Sequence, residues 1–176
     1  YVPLETTKDC LFGDVQNLRV SKRYFVFADY STKSLYVFDK KGEFHAKINR
    51  VPMDGWNADN DFWRIAGSFV IDPKSENIYI TYNDHDKDLK KYVSVFSPDG
   101  KLMWTKLMPK KMQDLSAQFV FLDNGNQLFS YTFAREQKDT LFSRFYFYEV
   151  HDFDSIVRGI VPTRPSDPML KRDWDC

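Results

Sequence analysis

The chain has 176 residues, 43% of them hydrophobic and 17% aromatic, enough apolar material to bury one domain's core and too much for a disordered polypeptide. Lysine plus arginine equals aspartate plus glutamate at 25 each, so no net field gathers phosphates, and nucleic acid is excluded as an expected partner. No stretch reaches the ~18 consecutive apolar residues of a transmembrane span.

Sixteen Phe, ten Tyr and four Trp favour pleated strands, where flat rings pack across neighbours, and the predicted class is all-β. In chain order, a first unit at about 11–50 offers strands at Gly13–Val20, Tyr24–Asp29 and Ser34–Asp39 and a last one ending near Ile48. A second, about 62–108, offers Ile65–Ile71, Asn77–Tyr82, Tyr92–Ser97 and Leu102–Lys106, with turns at Asp72–Asn77 and Ser97–Gly100. A third, about 115–161, offers Phe119–Leu122, Leu128–Phe133, Phe142–Val150 and Ile156–Val161, and 162–176 reads as coil. Only Lys110–Gln118 has helical character.

One phrase occurs twice. Leu35-Tyr36-Val37-Phe38-Asp39-Lys40-Lys41-Gly42-Glu43-Phe44 and Tyr92-Val93-Ser94-Val95-Phe96-Ser97-Pro98-Asp99-Gly100-Lys101-Leu102 each give an apolar strand, a polar turn with Gly at its end, and a second strand. The strands preceding them recur about fifty residues apart, which suits four-stranded propeller blades. An ordinary antiparallel sandwich is the competing reading, and the repeated Gly-ended turns decide for blades. Closed rings have about four to eight blades, so roughly three units imply part of a larger ring, with self-association or a missing remainder completing it.

Tyr1-Val2-Pro3-Leu4-Glu5-Thr6-Thr7, the strand at Gly13 and the Val37–Phe44 phrase together resemble the six-bladed, NHL-repeat-like β-propeller family of envelope proteins in Bacteroides-type bacteria. The resemblance implies a periplasmic or cell-surface protein from a processed lipoprotein precursor, in which the Pro3-Leu4-Glu5-Thr6 strand completes the last blade. A first residue other than Met fits a processed polypeptide. Cys10 follows Thr-Thr-Lys-Asp rather than the small apolar residues of an acylated cysteine, so any anchor would already have been removed. The family's Gly- and Pro-rich loop between the first two blades is replaced here by a stretch from Asn49 to Asp61. The family carries no defined activity to transfer.

Two strings carry candidate chemistry. Trp56 and Trp63 beside Asp59 and Asp61, with Asp54 nearby, are the residue types that hold a sugar ring, with anchoring of a loop by the indoles as the alternative. Asp84, Asp86 and Asp88 alternate as calcium ligands do, although Leu89 and Val95 stand where an EF-type loop needs Gly and a closing acid. Calcium is the one cofactor considered, and none is expected otherwise. His45, His85 and His151 lack metal spacing, and no Gly-x-Ser-x-Gly, His-Glu-x-x-His or phosphate loop occurs. Cys10 and Cys176, near opposite ends, have no metal-type spacing either, and their pairing is left open. The expected function is a non-enzymatic envelope module binding a protein or glycan. The alternative is a metal-dependent hydrolase or lactonase with a divalent cation on the ring axis.

Overall fold

The structure, a computed structural model, describes residues 1–53, 55–66, 69–84, 90–108, 118–121, 127–135, 141–151 and 155–160. The described strands form three four-stranded antiparallel sheets. The first holds β1 (Gln16–Val20), β2 (Tyr24–Asp29), β3 (Ser34–Asp39) and β4 (Phe44–Ile48) in that order. A helix, α1 (Ala58–Ala66), precedes the second sheet of β5 (Phe69–Ile71), β6 (Ile78–Asp84), β7 (Lys90–Phe96) and β8 (Leu102–Leu107). The third consists of β9 (Gln118–Phe121), β10 (Gln127–Arg135), β11 (Leu141–His151) and β12 (Ser155–Ile160). The first strand of each sheet lies against the first of the next, β1 beside β5 and β5 beside β9. Consecutive sheets meeting at their first strands fan out around an axis, which is blade geometry.

The first blade shows why the strands read as continuous apolar runs. On β2 and β3, Val26, Ala28, Leu35 and Val37 share one face, and Phe25, Phe27, Tyr36 and Phe38 share the other. The aliphatic face, with Ala46 and Ile48 of β4, packs against Phe69, Ile78, Ile80, Tyr82 and Phe96 of the second blade and against Phe62 and Ile65 of α1. The aromatic face is covered by the N-terminal residues Leu4, Cys10 and Phe12. Phe27 and Phe38 stack there, centroids 5.7 Å apart and planes 6° apart, and Phe12 meets Phe27 edge-on at 5.0 Å. Fully burying each such ring contributes about 1.5–3 kcal/mol, so both faces need a cover.

The duplicated phrase folds into duplicated hairpins. Gly42 N–H donates to Asp39 O at 3.0 Å and Gly100 N–H to Ser97 O at 2.9 Å, both glycines having positive φ (92° and 74°). Each turn leans on what precedes it. A Cβ on Gly100 would lie 3.1 Å from Cβ of Ala46 and 3.6 Å from the Lys47 carbonyl oxygen, on the outer strand β4 of the blade before. A Cβ on Gly42 would lie 2.0 Å from the Pro3 carbonyl oxygen. Residues 2–5 therefore stand to the first blade as an outer strand stands to the second. Glu5 secures them, its N–H donating to Gly42 O at 2.8 Å and its carboxylate accepting from Phe44 N–H at 2.8 Å. They are not themselves in a strand.

A charged clamp crosses the seam between the first two blades. Glu76, 4% exposed, accepts from the backbone N–H of Arg23 at 2.7 Å and from its guanidinium Nε. Burial opposes its ionisation, but the Arg23 side chain and amide and the Ser21 hydroxyl outweigh that and lower its pKa.

Two expectations are corrected. Residues 58–66, read as loop and strand start, are helical, and β5 begins only at Phe69. The tract expected to be helical lies outside the described residues, except that Gln118 opens β9. The 162–176 segment and Cys176 also lie outside them, while Cys10 is a buried free thiol.

Removing the cation of the clamp leaves a buried carboxylate. Arg23→Ala should lower the urea unfolding midpoint, because the buried Glu76 carboxylate loses its guanidinium partner, and adding Glu76→Gln should restore part of the loss. Equal losses in the single and double variants would show that the pair does not couple the blades.

Candidate functional site

One rim of the blades collects the long connections. β2 and β4 run the same way, as does β6, so the turn after Asp29, the β4–β5 connection with α1, and the last residue of β6, Asp84, lie at one end. Side chains confirm it. Tyr30 meets Phe62 of α1 at 5.5 Å, nearly perpendicular, and Tyr82 Oη donates to Pro52 O at 3.4 Å.

α1 starts where its sequence dictates. Asn57 is the N-cap, its Oδ1 accepting from Asp59 N–H at 2.9 Å. Asp61 returns the favour, its Oδ2 accepting from Asn57 N–H at 3.1 Å while its own N–H donates to Asn57 O at 2.8 Å. Two carboxylates in the first turn also suit the positive end of the helix dipole. Phe62, Ile65 and Ala66 then fall on the buried face.

The turn after β2 is organised by Asp29, which is fully buried. Its carboxylate accepts from Ser31 Oγ at 2.6 Å, Thr32 Oγ1 at 2.7 Å, Ser31 N–H at 3.0 Å, and the N–H groups of Gly13 and Asp14 at 3.2 Å each. Burial opposes the charge, but the Ser31 and Thr32 hydroxyls and the Ser31 and Gly13 amides prevail and lower its pKa from 3.8 to about 2. Tyr36 Oη, donating to Leu11 O at 2.6 Å, ties the same incoming segment to the aromatic face.

The sequence-nominated residues fall as follows. Trp56 is half-buried with its ring against the core at the blade seam, Asp59 is exposed, and Asp61 is turned inward as the reciprocal cap. Trp63 lies on the same helix, and Asp54 lies outside the described residues. Asp84 ends β6 opposite Lys90, whereas Asp86 and Asp88 lie outside the described residues. Among the described residues no three His, Cys, Asp or Glu side chains group as a metal site. No described helix is long and apolar enough to cross a membrane. Sequence reasoning missed Asn17 and Arg19 on the inner strand, since nothing local marks an asparagine as left-handed (φ 51°).

The family model DUF5128, described as a 6-bladed beta-propeller, matches residues 1–163. Among solved structures, the chain is similar to a protein of Bacteroides fragilis NCTC 9343 described as exported, with 23% identity and a TM-score of 0.52 over 93% of this chain. The match covers 42% of that protein, so the chain spans less than half its length. A likeness to a eukaryotic initiation factor has 10% identity and a TM-score of 0.39, covering 91% of this chain and 46% of the other. No curated protein matches.

Acid unfolding tests the role given to Asp29. Because its folded pKa lies below the ordinary value, its stabilisation is complete above about pH 4 and is lost as pH falls through about 2. Asp29→Asn should be less stable than the wild type by about 2 kcal/mol at pH 7, with the gap closing toward pH 2. A gap independent of pH would contradict the assignment.

Proposed function

Because the chain belongs to the DUF5128 family of 6-bladed beta-propellers, we propose that it is a non-catalytic binding module of the cell envelope, offering its α1-bearing rim to a glycan or a protein. The carrying observation is the capped start of α1, which places a half-buried Trp56 beside exposed Asn57 and Asp59 at the seam between the blades. An aromatic face next to polar acceptors suits a sugar, with the ring on the indole and the hydroxyls on the carboxylate and amide. In this reading Trp56, Asp59 and Trp63 contact the ligand, and Asp61 positions them through the cap. Asp84, at the end of β6, with Asp86 and Asp88 following it in sequence, is the proposed position for a calcium ion.

The envelope location is supported by the exported description of the Bacteroides relative, and a lipoprotein precursor remains part of the proposal. The units at about 11–50, 62–108 and 115–161 are the proposed blades, completed into a ring of NHL type by further sheets. A binding role also accords with how the buried acids are employed. Asp29, Asp61, Asp72 and Glu76 each hold a turn, a cap or a seam through hydrogen bonds.

A glycan array probed with the purified chain should show a defined set of retained sugars. Asp59→Ala should weaken retention about tenfold, equivalent to about 1.4 kcal/mol, while circular dichroism stays unchanged. If no sugar or purified envelope protein is retained and the chain hydrolyses lactones or esters when calcium is added, the module reading is wrong.

A further inference from the structure

β1, the innermost strand, carries a register break. Gln16 lies opposite Ala28, but Arg19 rather than Leu18 lies opposite Val26. Asn17 takes up the extra residue in a left-handed conformation at φ 51°, and its Nδ2 donates to the Ala66 carbonyl at the end of α1 at 3.0 Å. The bulge is thus fastened to the helix of the candidate rim.

The insertion decides which side chain meets the second blade. In an unbroken ladder Leu18 would stand opposite Val26 on the face toward β5. With the extra residue Arg19 takes that place, its guanidinium 5.9 Å from the centroid of the Phe69 ring, and Leu18 is left 49% exposed. The bulge has therefore exchanged a leucine for a cation beside an apolar ring. Bulges re-aim side chains and are over-represented next to sites. The contact shown for the Arg19 guanidinium is with the Phe69 ring, and Arg19 is in neither the Arg23–Glu76 nor the His45–Asp99 pair.

We infer that Arg19 anchors the carboxylate of an acidic sugar that enters along the inner strands beneath the α1 rim. The planar guanidinium fork pairs with a carboxylate through two parallel hydrogen bonds. Arg19 is the one cation of β1 and β5, and its fork suits a single carboxylate. Gln16 shares this face but is engaged with the Asp14 carboxylate. The inference rests on the binding reading above and deepens it.

Isothermal titration of the purified chain with trigalacturonate, a neutral galactose trisaccharide and inorganic phosphate tests it. Trigalacturonate should bind and the neutral sugar should not. Arg19→Met, which keeps an apolar cover over Phe69, should weaken binding at least about tenfold without lowering the melting temperature, and Arg19→Lys should recover part. No trigalacturonate binding, or equal binding by Arg19→Met, overturns the assignment, as does binding of phosphate alone. Sugar binding lost in Asp59→Ala but intact in Arg19→Met would leave the rim's function standing and remove Arg19 from it.

Discussion

A blade of this protein has two apolar faces, and each must be covered. In the first blade, alternation along β2 and β3 sorts Val26, Ala28, Leu35 and Val37 to one side and Phe25, Phe27, Tyr36 and Phe38 to the other. The aliphatic side meets the second blade and α1; the aromatic side meets residues 4–12. From this requirement follow the helix over the seam, the turns whose glycines admit a neighbouring backbone, and an N-terminal segment placed like an outer strand.

Covering both faces removes water from the turns between strands, and the polar groups there must find partners within the chain. Asp29, Asp61, Asp72 and Glu76 are themselves buried, and each is satisfied by nearby amides or hydroxyls. The exposed start of α1, with Asp59, and the inner strand at Arg19 carry the polar side chains on which the binding reading rests. The inner strand is tied to the same helix, because Asn17 donates to Ala66 at the end of α1.

Much of the fold was legible because its signals are local. Period-two aromatics and Gly-ended turns located the hairpins at 35–44 and 92–102, and the structure repeats them with equivalent hydrogen bonds. The helix was legible in principle, since Asn57 as a cap, acids at 59 and 61, and Phe62, Ile65 and Ala66 at helical spacing all signal it. Its tryptophans and aspartates drew a reading as a ligand-bearing loop instead. The seam clamp was not legible: Arg23 and Glu76 meet only because two blades pack, and no pattern in one strand announces a partner in another. The bulge at Asn17 is equally silent in sequence, being fixed by a distant carbonyl of α1.

The central claim is that the N-terminal segment supplies the cover the aromatic face requires. Deleting residues 1–12 and following urea unfolding together with binding of an apolar dye tests it most directly. The truncated chain should bind dye in native buffer and lose at least several kcal/mol of unfolding free energy, as expected when rings the size of Phe27, Tyr36 and Phe38 meet water. An unchanged unfolding midpoint with no dye binding would contradict the claim.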